Sequence, residues 1–154
     1  MGLVEKIFIV KQRRGEITEL ASAQLEAGKG IVGDRYHAQA QKLLSEGELV
    51  PDNHISFIAK EELEAFLITH NSDLEFSDFR RSVVTSGIDL NALVGKQFKV
   101  GDSVCFGSEL CEPCAYLAAT VHRAVLPELV GKGGLRATVL RSGSISAGSL
   151  IEES

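Results

Sequence analysis

The stretch KQFKVGDSVCFG, residues 96–107, decides the fold. Phe98 and Val100 alternate with Gln97 and Lys99, and a β-branched and aromatic run, Val104 to Phe106, follows the Gly101-Asp102 pair. A two-residue Gly-Asp step between two such runs predicts an antiparallel hairpin. Working outward, GLRATVLR (134–141), the turn SGS and a short strand near SLIE (149–152) read as a second antiparallel pair. Upstream, RSVVTSG (81–87), HISFIA (54–59) and EKIFIVKQ (5–12) read as further strands. Helical spacing occurs in KEELEAFLITH (60–70), through Leu63, Phe66 and Leu67, and in AYLAATVHRAVLPEL (115–129), which Pro127 should end or bend. LSEGELVPDN (44–53) reads as a surface loop within one domain spanning 1–154. Strands that outnumber helices and return by hairpins predict a mainly β (α+β) protein: a mostly antiparallel, closed or half-closed β-barrel with a few peripheral helices.

Composition narrows the function classes. A hydrophobic fraction of 44% against 24% charged is that of an ordinary globular domain. The longest apolar runs, IFIV (7–10) and VVTSGI (83–88), fall far short of a membrane span of about 20 residues. The N-terminus, MGLVEKIFIVKQRRG, is too charge-flanked for a signal peptide and reads as the first strand of a cytoplasmic protein. A net charge of −5 argues against nucleic acid, although Arg13-Arg14 and Arg80-Arg81 are basic doublets suited to a small anion. Three cysteines make a poor disulfide framework and leave thiols for metal, chemistry or packing.

GKGIVG (28–33) satisfies the G-x-G-x-x-G pattern of dinucleotide-binding domains, but its context does not. ITELASAQLEA before it does not read as a buried strand, DRYHAQAQ after it reads as a poor helix opener, and the alternation of strand and helix is missing. What remains is flexible backbone beside Asp34, Arg35 and His37. These three polar groups form either a site or a turn with a satisfied salt bridge.

Cys111 and Cys114 form a C-x-x-C with no second pair, and His37, His54, His70 and His122 offer no ligand-like spacing, so a structural zinc site is not expected. Both follow the strand SVCFG and precede the helical stretch. Cys114 is therefore expected at a helix N-terminus, where the dipole favours thiolate. Cys105 alternates within a strand and reads as core.

The pieces GIVGDRYH (30–37), FRRSVVTSGIDLNALVGKQFKVGD (79–102), GSELCEPC (107–114) and GGLRATVLRSGSISAGSLI (133–151) follow the order and spacing of the MOSC domain, the C-terminal module of molybdenum cofactor sulfurases. The chain closely resembles the small stand-alone bacterial members from about residue 28 onward. The resemblance implies a β-barrel, a molybdenum cofactor (molybdopterin) as ligand, and a cysteine matching Cys114 that receives sulfur for transfer or, in related reductases of N-hydroxylated compounds, ligates molybdenum. It therefore implies either a molybdenum-cofactor-dependent reductase or a sulfur-transfer protein. Cys114, with Cys111 beside it, would be the reactive thiol and Cys114 the metal ligand. Arg80 matches the arginine of the family's Arg-x-Asn pattern and would meet the anionic cofactor, with Arg35, His37 and Arg136 as further candidates.

This chain departs from the pattern twice. Ser82 stands where the family has asparagine, and Gly148-Ser149 where the closing turn reads Gly-Asp. A serine offers one hydroxyl where asparagine offers amide donors and a carbonyl acceptor. A sulfur donor or electron-transfer protein acting in trans is also implied, because no partner domain is present to supply either. Two other readings stand beside this one: a metal-free thiol redox or sulfur-handling module using Cys111 and Cys114, and a non-catalytic small-ligand-binding barrel.

Overall fold

The computed structural model describes residues 2–11, 15–50, 54–69, 82–110 and 134–153. Its strands are β1 (Gly2–Val10), β2 (Ile17–Leu20), β3 (Ser22–Glu26), β4 (Gly30–Ile31), β5 (Ile55–Ala59), β6 (Val83–Ser86), β7 (Gln97–Val100), β8 (Ser103–Leu110), β9 (Leu135–Arg141), β10 (Gly143–Ser146) and β11 (Leu150–Glu153). Two α-helices, α1 (Arg35–Ser45) and α2 (Lys60–Thr69), and a single 3-10 turn (Leu90–Leu93) complete the described elements.

The β7–β8 hairpin forms as expected, with Val100 opposite Ser103 across the Gly101-Asp102 turn. Gly101 is required there: its φ is +55°, and a Cβ would lie 2.7 Å from the Ser144 carbonyl oxygen. Around this hairpin, seven strands close a ring in the order β11-β7-β8-β9-β5-β6-β1, sealed by β1 against β11, and β2 extends outward from β1. The ladders are antiparallel except for β5 and β6. Those two are parallel because the chain crosses between them by way of α2, and a parallel pair needs such a crossover.

The inner face is the core. Val4, Ile7, Ile9, Phe57, Val83, Phe98, Val100, Cys105, Leu135, Ala137, Val139 and Ile151 are buried there, each strand contributing alternate residues. Phe57 and Phe98, from strands on opposite sides of the ring, meet edge to face with ring centres 5.5 Å apart. Outside the barrel, Ile58 and Val84 are also buried, because α2 packs on β5 and β6 and buries Leu63. Leu67 is half-buried, as its helical spacing predicts.

Three expectations are corrected. The segments 134–141 and 149–152 do not pair with each other: β9 joins β8 and β5, whereas β11 joins β7 and β1, so they flank the first hairpin. The chain between them does not turn straight back: Gly143 runs against the hairpin turn, where a Cβ would sit 2.5 Å from the Asp102 carbonyl carbon. It forms β10 instead, which pairs with β3 in a separate three-stranded sheet with β4. ITELASAQLEA does hold strands, β2 and β3, with Ala23 and Leu25 buried. DRYHAQAQ does open a helix: Asp34 caps α1, its Oδ2 accepting from the Tyr36 N–H at 3.1 Å, a local signal of the Asp N-cap type. The glycines 28 and 30 shape the antiparallel β3–β4 turn, so no strand-to-helix phosphate loop forms.

Candidate functional site

Outward-facing polar residues form a row across the wall of the barrel. Ser56 lies on β5 and Arg136 on β9 as direct cross-strand partners, so their side chains share a face. Ser82 precedes β6 beside Ser56. The Ser56 hydroxyl accepts from the Ser82 N–H at 3.0 Å, and the two hydroxyl oxygens lie 3.3 Å apart. Glu109 on β8 is the next residue along, opposite Arg136, and its carboxylate is 3.8 Å from the guanidinium. With side chains 44% and 67% exposed, that ion pair is weak and leaves the guanidinium available to an anion. The structure thus brings Ser82 and Arg136 together, with Ser56 between them.

Arg35 and His37 sit at the start of α1. That helix is tied to the same part of β1 as Ser82: Asp34 Oδ1 accepts from the Val10 N–H at 2.9 Å, and two residues earlier the Phe8 N–H donates to the Ser82 carbonyl at 2.7 Å. The Arg35 guanidinium lies over the Tyr36 ring, 4.2 Å from its centre, and donates to the Tyr36 hydroxyl at 2.7 Å. His37 is buried, with Nδ1 3.4 Å from the Gln41 amide nitrogen and Nε2 3.5 Å from Glu26 Oε1, the latter without hydrogen-bond alignment. Lys29, hydrogen-bonded to Glu26, holds that carboxyl below its usual range, with His37 adding a smaller contribution. Arg35 and His37 are therefore engaged locally, within an ion-pair and stacking cluster.

Cys111, Cys114 and Arg80 lie outside the described residues, as does the helical stretch 115–129. Their chain neighbours are placed. Leu110 pairs with Leu135, one step along the strands from the Glu109–Arg136 position, and Ser82 belongs to the row itself. Cys105 is fully buried, and burial pushes its thiol up to about 12, against a smaller opposing hydrogen bond from Ser103. It is packing, as its place in the strand predicts. Ser149 is committed to the turn before β11, its hydroxyl accepting from the Ser146 N–H at 2.8 Å, a task an aspartate performs equally well. Ser56 has no motif to announce it. Its signal was a single polar residue inside the apolar strand ISFIA.

The model of the MOSC domain matches residues 34–152, and the chain belongs to that family, whose members are associated with the molybdenum cofactor and its sulfur chemistry. No curated protein sequence matches. Among solved structures, the chain is similar to the YUAD protein from Bacillus subtilis, at 18% identity over 99% of this chain and 96% of that one, with a TM-score of 0.78. It is also similar to YiiM from Geobacillus stearothermophilus (15% identity, 100% and 75% covered, TM-score 0.73) and to YiiM from Escherichia coli (15%, 99% and 69%, 0.69). At these identities the likeness is one of fold.

The row's chemistry fits a pterin that carries a phosphate. A half-exposed guanidinium suits the anion, and a hydroxyl pair suits a ring edge that both gives and takes hydrogen bonds. Among the described residues no helix is long and apolar enough to cross a membrane.

Proposed function

We propose that this chain binds the molybdenum cofactor and carries sulfur on Cys114 for transfer to a metal–sulfur centre, working with a sulfur donor or electron-transfer protein in trans. The supporting observation is the convergence of chain positions on the polar row. Leu110, from which the chain runs on to Cys111 and Cys114, is paired beside the Arg136 level, and Ser82, which follows Arg80 by two residues, lies in the row. Chain length alone keeps the Cα of Cys114 within roughly 14 Å of Leu110 and that of Arg80 within about 7 Å of Ser82. From Ser82 across β5 and β9 to Glu109 is three strand spacings, about 14 Å. These spans are short enough for thiol, arginine and hydroxyl pair to meet at one ligand, and in this reading they do.

In this reading Arg136 and Arg80 neutralise the phosphate, the hydroxyls of Ser82 and Ser56 orient the ring edge, and Cys114 supplies the sulfur. The bound cofactor would contribute a soft, oxidised metal that takes one more sulfur ligand. As carrier, the Cys114 thiolate attacks the sulfane sulfur of a donor persulfide, the donor leaves as its own thiolate, and Cys114 holds the transferred sulfur. Reduction of N-hydroxylated compounds is the reaction implied by the metal-ligand role.

The test is cofactor retention and mass-detected persulfide on three variants purified beside the parent from a host that makes the cofactor. Cys114→Ser loses both, because a hydroxyl is a poor ligand for a soft metal and holds no sulfane sulfur. Cys111→Ser keeps most of both. Arg80→Ala weakens cofactor binding about ten- to a hundredfold, the equivalent of roughly 1.5 to 3 kcal/mol for a charge-assisted contact, and spares persulfide loading. Equal losses for Cys111→Ser and Cys114→Ser would transfer the assignment to a metal-free dithiol couple.

A further inference from the structure

We infer that Ser56 is a positioning residue for the ligand contact at Ser82, and that the two serines together supply the donor and acceptor that one asparagine supplies in the family pattern. This rests on the cofactor reading above. Ser82 is pinned on both sides of its backbone: its carbonyl accepts from Phe8, and its N–H, ahead of the first ladder residue of β6, donates to the Ser56 hydroxyl. Either hydroxyl can donate across the 3.3 Å between them; in the arrangement inferred here the Ser56 proton goes to the Ser82 oxygen. The Ser82 O–H is then left to donate outward, and a lone pair of the pair's oxygens to accept. Among the described residues neither hydroxyl has another partner.

The neighbour on the far side makes the acceptor necessary. Arg136, the cross-strand partner of Ser56, can only donate. The other acceptor of the row, the Glu109 carboxylate, lies beyond Arg136 and faces its guanidinium, so beside Ser82 a ring edge that also presents N–H groups finds its acceptor at the serines. Ser56 itself is half-buried between Ile55 and Phe57, both buried, so its hydroxyl is held by strand geometry. A chain of two hydroxyls also polarises its terminal O–H, which strengthens the outward donor.

The experiment uses near-isosteric replacements that a strand accepts readily, Ser56→Thr and Ser56→Val. The probe is a pterin bearing a phosphate side chain, titrated by quenching of its own fluorescence, and the second readout is hydrogen exchange of the Ser82 amide without ligand. Ser56→Thr binds like the parent. Ser56→Val binds about three- to tenfold more weakly, the range for one hydrogen bond, and its Ser82 amide exchanges faster. Adding Ser82→Asn to Ser56→Val restores the affinity, because the asparagine amide provides donor and acceptor alone; a merely structural role for Ser56 gives no such rescue. A parent that binds while Ser56→Val binds equally well, or is not rescued by Ser82→Asn, overturns this inference alone. A parent that fails to bind the probe overturns the cofactor reading and this inference with it.

Discussion

Cys105 is the sulfur that cannot serve as carrier, and the structure says by how much. Its side chain is fully buried on β8, and burial pushes its thiol up to about 12. At pH 7.5 roughly one Cys105 in thirty thousand would be thiolate, against about one in ten for a thiol near 8.5, so alkylation slows about three thousandfold before access is counted. In a peptide-mapped iodoacetamide time course, Cys105 should stay unmodified until urea unfolds the chain, whereas Cys114 labels first. Similar rates for the two would refute the burial argument. The same shift sets a base sensitivity. The folded thiol titrates above the unfolded one, so its contribution is fully present below about pH 8.5. It is lost at about 1.4 kcal/mol per pH unit as pH rises toward the folded value, where only the unfolded chain gives up the proton. Urea denaturation of the parent and Cys105→Ala between pH 8.5 and 11 should therefore converge by roughly 3 kcal/mol at most. Parallel profiles would show that the thiol is not held protonated.

Gly134 and Gly148 both have positive φ, +110° and +94°, but a Cβ at Gly134 would collide with the Phe57 carbonyl oxygen, whereas one at Gly148 meets nothing within 4 Å. Gly148→Ala should cost about 1–2 kcal/mol and Gly134→Ala about 2–6 kcal/mol, the excess coming from displaced β5, and equal thermal shifts would contradict the collision. Asp34→Ala removes the α1 cap and strips the Val10 N–H of its acceptor, for a loss of about 2–4 kcal/mol in urea unfolding, with Asp34→Asn losing less. His54→Leu likewise leaves the Val139 N–H, which donates to His54 Nδ1 at 3.1 Å, without its acceptor, and should cost about 1–3 kcal/mol by the same measurement.

The barrel was legible because its signals are local. Alternation on either side of Gly101-Asp102 forces one hairpin, and the apolar runs at 5–12, 54–59 and 81–87 each became strands. The destination of a strand is not a local signal. Nothing within 134–152 says that Gly143 passes over a turn some forty residues upstream, so two strands that look like a hairpin became its flanks. At the start of α1 the sequence suggests a polar turn, whereas Asp34 stands before Arg35 as a cap that also reaches Val10. Ser82 and Arg136 are candidates through the family pattern, and the structure makes them neighbours on one wall of the barrel. Ser56 carries no such signal, since its place between them comes from a register between strands that no motif records.

That register follows from the one parallel pair in the ring. In an antiparallel hairpin the strand that follows β5 would start beside the residues β5 ends on, and its first free amide would face a turn. Because β5 and β6 run parallel, β6 starts alongside Ser56, with Phe57 opposite Val83. The amide of Ser82 then falls one residue ahead of the ladder, on the outer wall, and a side-chain hydroxyl takes the bond that backbone supplies elsewhere in the sheet. The polar row exists because a crossover, and not a turn, joins these two strands. The helix of that same crossover buries the wall at Ile58 and Val84 and leaves Ser56, Ser82 and Arg136 only half-buried, so one connection both creates the hydrogen-bonding pair and keeps it open to solvent.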